Sequence, residues 1–300
     1  MTEDISKMTG QTLHPMLKTI IDQRPGLTPK GKLLADYIVE NPRKVIFMTT
    51  KELSEACRVS EATVVRFVAQ VGFRGYTEFL QSLRNAVDTD MTLLDRMELT
   101  DFTSPSAQRF QRMIYREMDN LRQLYEEVDV DAVERVTALL DGDEPVYVVG
   151  SRLSYTLAYY MGWSLIKIRP NIQILKGSDS TAIDRLTVAP ADSRVIVIAT
   201  SRYPNELIRI CRCAVRLKLT LVVLSDSADC PMNGFAHEKL IAPSRHIPIV
   251  GNPTALSCLI NHLFHELAAR RTDEFKAHQE RLEMSYREND ILFNIEKGRG

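Results

Sequence analysis

Thr49–Phe73 reads TTKELSEACRVSEATVVRFVAQVGF, and this stretch decides how the first third of the chain folds. Leu53, Ala56 and Cys57 fall three to four residues apart, which makes one apolar face of a short helix. Thr50 is the expected N-cap of that helix, over Lys51 to Ala56, because a threonine hydroxyl accepts a first-turn amide. Arg58 and Val59 fill a turn. Ser60 is the expected cap of a second helix, and Glu61-Ala62-Thr63 follow, with the acid at the positive end of the helix. Val64, Phe67, Val68 and Val71 repeat at helical spacing and face inward. Gly72 then closes the helix, where glycine adopts left-handed backbone most easily. Two helices around a turn, with small polar residues opening the second, form the arrangement that lays the second helix in the major groove of DNA. Plain packing in a helical domain produces the same periodicity, so the pattern alone leaves both readings open.

Helical patterns continue on both sides. A short helix is expected from His14 to Gln23, broken by Arg24-Pro25-Gly26. Thr28-Pro29 opens the next, with a cap followed by proline at the first turn, and Leu33, Leu34, Tyr37 and Ile38 form its apolar stripe. Asn41-Pro42 ends it and starts a short helix through Phe47. A last helix runs from Tyr76 to about Ala86, with Phe79, Leu80 and Leu83 inward. From Lys30 to Arg84 there are nine Lys/Arg and six Asp/Glu, a modest basic excess within a chain whose net charge is −1. That total argues against a general polyanion binder and leaves room for a few phosphate contacts per copy.

Leu27–Arg84 closely resembles the N-terminal domain of the RpiR/MurR family of bacterial transcription regulators. The most specific parts are Val59–Phe67, VSEATVVRF, and Gly72–Phe79, GFRGYTEF. The resemblance implies a double-stranded DNA operator as partner. On that reading Glu61, Ala62, Thr63 and Arg66 face base edges, and Thr50, Lys51, Ser60 and Arg74 contact phosphates.

Beyond residue 107 the period changes. An amphipathic helix over Gln108 to Glu127 and another starting at Asp129 precede short apolar runs: Val146–Val149 ending in Gly150, Ile172–Leu175, Val195–Ala199, Leu221–Leu224 and a weaker Lys239–Ile241. Helical segments separate them, notably Glu206 to Leu217 and Thr254 to Ala269. Continuous apolar strands alternating with helices predict a parallel five-stranded sheet covered on both faces. The expected organisation is therefore multidomain: an all-α helix-turn-helix domain over 1–86, a polar linker over 87–107, and a flavodoxin-like α/β domain over 108–300 with a helical tail.

Ligands of open parallel sheets bind beyond the carboxyl ends of the strands, where strand order reverses. Two loops fit that place. Gly150, Ser151, Arg152 and Ser154 follow the first strand. Thr200, Ser201, Arg202, Asn205 and Glu206 follow the third. Hydroxyls, amides and a helix N-terminus suit an anion, and each arginine offers a bidentate clamp. Loop chemistry and helix capping explain the same residues without a ligand. Val130 to Ala269 resembles the sugar-isomerase (SIS) domain, which implies phosphosugar binding. The second loop departs from the family's Ile-Ser-x-Ser-Gly-x-Thr-x-Glu: Ala199, Arg202 and Pro204 replace its first Ser, its Gly and its Thr.

The combined reading is a cytoplasmic transcription regulator, a homodimer or homotetramer, modulated by a small anionic effector. No catalytic residue, cofactor, metal or membrane association is expected. The alternatives are a phosphosugar isomerase, for which only Glu206 offers itself as a base, and a regulator whose SIS domain only oligomerises. The five cysteines form no C-x-x-C pair and read as buried thiols of a reducing compartment. His262, His265 and Glu266 read as a helix face rather than a zinc site. No apolar run reaches membrane-spanning length, and MTEDISKMTG is unlike a signal peptide.

Overall fold

The computed structural model describes residues 15–46, 48–90, 103–244 and 251–292. The chain divides into two compact units, Met1–Leu99 and Thr100–Gly300. The expected helix end at Phe47 and most of the expected linker lie outside the described residues.

The first unit is helical: α1 (Pro15–Gln23), a 3-10 turn at Arg24–Gly26, α2 (Pro29–Glu40), α3 (Pro42–Val45), α4 (Thr50–Ala56), α5 (Glu61–Gln70) and α6 (Tyr76–Asp90). Thr28 caps α2 through the Gly31 amide at 3.2 Å, as its Thr-Pro opening predicts. Leu34, Ile38, Leu53, Val64, Phe67, Val68, Phe79 and Leu83 meet in one core. Phe79 sits at its centre, edge-on to Phe67 and Phe73, and stacks on Tyr76. A bidentate pair between Arg24 and Asp36, at 2.5 and 2.8 Å, ties the 3-10 turn to α2. α6 continues to Asp90, past the boundary expected at residue 86.

The second unit opens with α7 (Ser106–Glu127), which begins inside the stretch expected to be linker. α8 (Val130–Asp141) follows, capped by Asp129 on the Ala132 amide at 2.9 Å. Then come β1 (Val146–Gly150), α9 (Leu153–Ile166), β2 (Ile172–Lys176), α10 (Thr181–Thr187), β3 (Arg194–Ala199), α11 (Asn205–Arg216), β4 (Thr220–Ser225), a 3-10 turn at Pro231–Phe235, β5 (Glu238–Ile241), α12 (Thr254–Arg270) and α13 (Thr272–Glu288). The strands form one parallel sheet in the order β2-β1-β3-β4-β5.

Alternate residues of the central strands serve two cores. Val146, Val148, Ile196, Ile198, Val222 and Leu224 pack with α8, α9 and α12. Tyr147, Val149, Val195, Val197, Leu221 and Val223 pack with α10 and α11. This is why the strands read as unbroken apolar runs: both faces are buried. Arg169 is buried beneath the sheet's amino end, where its guanidinium donates to the carbonyls of Leu140 and Glu144 at 2.7 and 2.6 Å.

Candidate functional site

In the first unit, α4, a turn at Cys57–Ser60 and α5 form the helix-turn-helix. Arg58 takes the left-handed conformation in the turn, at φ 53°, and Gly72 does so after α5, at φ 99°. The cap of α4 is Thr49, not Thr50. Thr49 Oγ1 accepts from the Glu52 amide at 3.2 Å, and Glu52 accepts from the Thr49 amide at 2.7 Å. Glu52 stands three residues after Thr49 and closes this capping box, whereas Leu53, three after Thr50, has nothing to return. The Thr49 amide and, at 2.9 Å, the Thr49 hydroxyl both donate to the Glu52 carboxylate and hold that carboxyl below its ordinary value. Thr50 instead donates its hydroxyl to Glu61 Oε2 at 2.8 Å.

α5 buries Thr63, Val64, Phe67 and Val68 and exposes Glu61, Ala62, Val65, Arg66, Ala69 and Gln70. Thr63 therefore does not face outward as expected. It is 8% exposed, and its hydroxyl lies 2.9 Å from Ser60 Oγ and accepts from Arg66 at 3.4 Å. Ser60 holds the cap position, but its hydroxyl engages Thr63 rather than a helix amide. The residue missed in sequence is Val65, 52% exposed on the outward stripe. An odd valine in a valine-rich helix carries no local sign of facing solvent, although counting from Ala62 and Arg66 places it there. Lys51 and Arg74 are exposed.

In the second unit, strand order reverses between β1 and β3, and the two expected loops lie there. Gly150 has no room for a side chain: a Cβ would strike the Ser154 carbonyl and Ala158. Ser151 and Ser154 are buried and satisfied. Ser151 N donates to Ser154 Oγ at 3.1 Å, and Ser154 Oγ donates to Ser151 O at 2.8 Å. Ser151 Oγ donates to Glu206 Oε1 at 2.6 Å, which joins the β1 loop to the start of α11. That hydrogen bond is the main reason the Glu206 carboxyl lies below its ordinary value. Ser201 N donates to Asp226 Oδ2 at 2.6 Å, and Tyr203 OH to Asp226 Oδ1 at 3.0 Å. Burial pushes the Asp226 carboxyl up, against the hydrogen bonds that hold it down. Arg152 and Arg202 are exposed and both have positive φ, 53° and 65°. With ψ at −125°, Arg152 occupies backbone that glycine tolerates best. Thr200 is buried and Asn205 exposed. Asp226, at the end of β4, belongs to this group. Among the described residues, no group of three His, Cys, Asp or Glu side chains could hold a metal ion, and no helix is long and apolar enough to cross a membrane.

Both units match known domain families. Residues 14–90 match the helix-turn-helix domain of the rpiR family, and residues 140–265 match the SIS domain. The chain belongs to the RpiR family of helix-turn-helix transcriptional regulators. This RpiR-family chain is 21% identical over 218 residues to an uncharacterised HTH-type transcriptional regulator of Clostridium perfringens, an alignment covering 71% of the chain and 76% of the relative. Among solved structures, the Vibrio vulnificus NanR protein complexed with ManNAc-6P superposes with a TM-score of 0.58 at 20% identity, covering 93% of this chain and 100% of that one. The sugar isomerase domain of an RpiR transcription factor from Sphaerobacter thermophilus gives 0.55 at 21% identity, covering 58% and 97%. At these identities the superpositions establish the fold. They agree with the expected all-α unit followed by an α/β parallel five-stranded sheet.

Proposed function

We propose that this RpiR-family regulator reads a DNA operator with α5 and answers to a small anionic metabolite bound between the β1 and β3 loops. The observation that carries the DNA half is the outward stripe of α5, with Glu61, Ala62, Val65 and Arg66 presented by a capped helix-turn-helix. Arg66 suits a guanine edge and Val65 a thymine methyl. Thr50, Lys51, Ser60 and Arg74 remain the phosphate candidates, with Thr50 also engaged by Glu61. On this reading 1–86 is the core of the DNA-binding domain, residues 87–107 connect the two, and 108–300 senses and assembles.

Assembly into a dimer or tetramer, in the cytoplasm where the operator lies, is supported by exposed apolar side chains on α7 and α9. They are Phe110, Met113, Ile114 and Met118 on the first, and Tyr159, Tyr160 and Trp163 on the second. The effector half rests on Gly150, Ser151, Arg152, Ser154, Thr200, Ser201, Arg202, Asn205 and Glu206 lying at the switch point of the sheet. The NanR complex makes sugar derivatives the first class to screen. Isomerase chemistry is disfavoured, because the Ser151 bond moves Glu206 away from a base poised near neutrality.

The test is selection of duplexes from a randomised pool by the full-length protein, followed by fluorescence anisotropy on the selected site. Sequence-specific binding that Arg66→Ala weakens, with discrimination lost at one base pair, supports the reading. Binding with equal affinity to unrelated duplexes would refute it.

A further inference from the structure

We infer that the crevice between the β1 and β3 loops takes its ligand by a carboxylate, gripped by Arg152 and Arg202, in preference to a phosphate ester. The inference rests on the reading of this crevice as the effector site.

A phosphate cradle needs free donors, and here the serine and tyrosine hydroxyls of both loops are spent on the protein. The Ser151 hydroxyl goes to Glu206 and the Ser151 amide to Ser154. The Ser154 hydroxyl goes back to the Ser151 carbonyl. The Ser201 amide and the Tyr203 hydroxyl both go to Asp226, and the Ser201 hydroxyl also acts on that carboxyl. The loops thus close over two carboxylates of their own, one from α11 and one from the end of β4. A phosphate ester would bring up to two further negative charges and three acceptor oxygens to this place. It would meet two acids, with the first-turn amides of α9 and α11 rather than the loop hydroxyls left to receive it.

The charged donors that the loops leave open are guanidinium groups. Arg152 and Arg202 are exposed, one on each side of the switch point, and among the described residues no hydrogen bond or ion pair holds the Arg202 guanidinium. Both side chains stand on positive-φ backbone, at 53° and 65°. A non-glycine residue held there costs stability. A guanidinium fork matches the two oxygens of one carboxylate at a cost of one negative charge. Glu206, within the field of Arg152, is then placed to accept from ligand hydroxyls. The chemistry that fits is a polyhydroxylated acid: carboxylate to the arginines, hydroxyls to Glu206.

The experiment is isothermal titration calorimetry on the full-length protein. It uses a panel of hexonates and hexuronates, including D-gluconate and D-glucuronate, each paired with the hexose 6-phosphate of the same stereochemistry. At least one acid is expected to bind tenfold or more tighter than its phosphate counterpart. Arg152→Gly and Arg202→Ala are each expected to weaken that acid tenfold or more. Glu206→Gln is expected to narrow the preference by improving the phosphate ester. Arg152→Gly fits the local backbone at least as well as arginine does, so a loss there reports the side chain and not misfolding. Tighter binding of a phosphate ester, lost on Ser151→Ala or Ser201→Ala, would overturn the inference and leave the effector site standing. Silence from every acid and every ester would overturn both.

Discussion

The hydroxyl of Thr50 donates to a carboxylate oxygen of Glu61 at 2.8 Å, joining the first turn of α4 to the first turn of α5 across the helix-turn-helix. The bond lies at the exposed surface, so its net worth is about 0.5–1.5 kcal/mol. Its larger effect concerns orientation, since it holds a carboxylate at the end of α5 that would enter the groove. Thr50→Ala should cost about 1 kcal/mol or less by urea denaturation. It should also alter base preference at the position nearest the start of α5, as read by anisotropy on singly substituted sites. Unchanged preference would mean that Glu61 plays no part in readout.

Arg66 and Lys51 should fail in different ways. Arg66 stands on the outward stripe of α5, and Arg66→Ala should lose about 1–3 kcal/mol of discrimination at one base pair. Lys51 is exposed on α4, and Lys51→Ala should weaken binding to all sequences alike and reduce the salt slope by about 1. Titrations at several salt concentrations separate the two. Equal salt slopes for the two variants would show that the roles have been misassigned.

Arg152 stores strain. Its φ of 53° and ψ of −125° suit glycine, and such backbone costs about 1–3 kcal/mol in other residues. Arg152→Gly should therefore raise the thermal midpoint, less the roughly 0.4–1 kcal/mol lost to the greater freedom of glycine in the unfolded chain. A lowered midpoint would show that the arginine side chain stabilises the loop more than its backbone strains it.

Glu144 sets an acid-dependent share of stability. Its hydrogen bond with Arg194 at the sheet's amino end, more than any other cause, holds its carboxyl down to about 2 from an ordinary 4.5. With the folded value below the unfolded one, the unfolded chain binds the extra proton in between. The contribution is therefore complete above about 4.5 and is lost as pH falls toward 2. Glu144→Gln should be less stable than the native chain at neutral pH, and the difference should close across that window. Urea midpoints measured from pH 7 to 2 give the comparison, and a difference independent of pH would exclude the ion pair as its source.

By itself the sequence determined the elements and their order. Val146–Val149, Val195–Ala199 and Leu221–Leu224 read as strands of a parallel sheet because residues buried on both faces leave no polar alternation. The helix-turn-helix was legible because Leu53, Val64, Phe67 and Val68 keep helical spacing on either side of a short turn.

Tertiary structure alone decided which polar groups were free. Thr49 rather than Thr50 caps α4 because the Glu52 side chain returns the bond, and the hydroxyl left over reaches Glu61 eleven residues away. Thr63 turns inward because it lies on the face of α5 that packs on the core with Val64, Phe67 and Val68, and its hydroxyl is met there by Ser60. Asp226 takes the Ser201 amide across twenty-five residues of chain, because β3 and β4 pair with Ala199 opposite Ser225 and bring the two loops side by side. Local spacing carries the periodicity of buried surface. The partner of a polar group is set by strand register and helix packing, and these bring together residues that the sequence holds far apart.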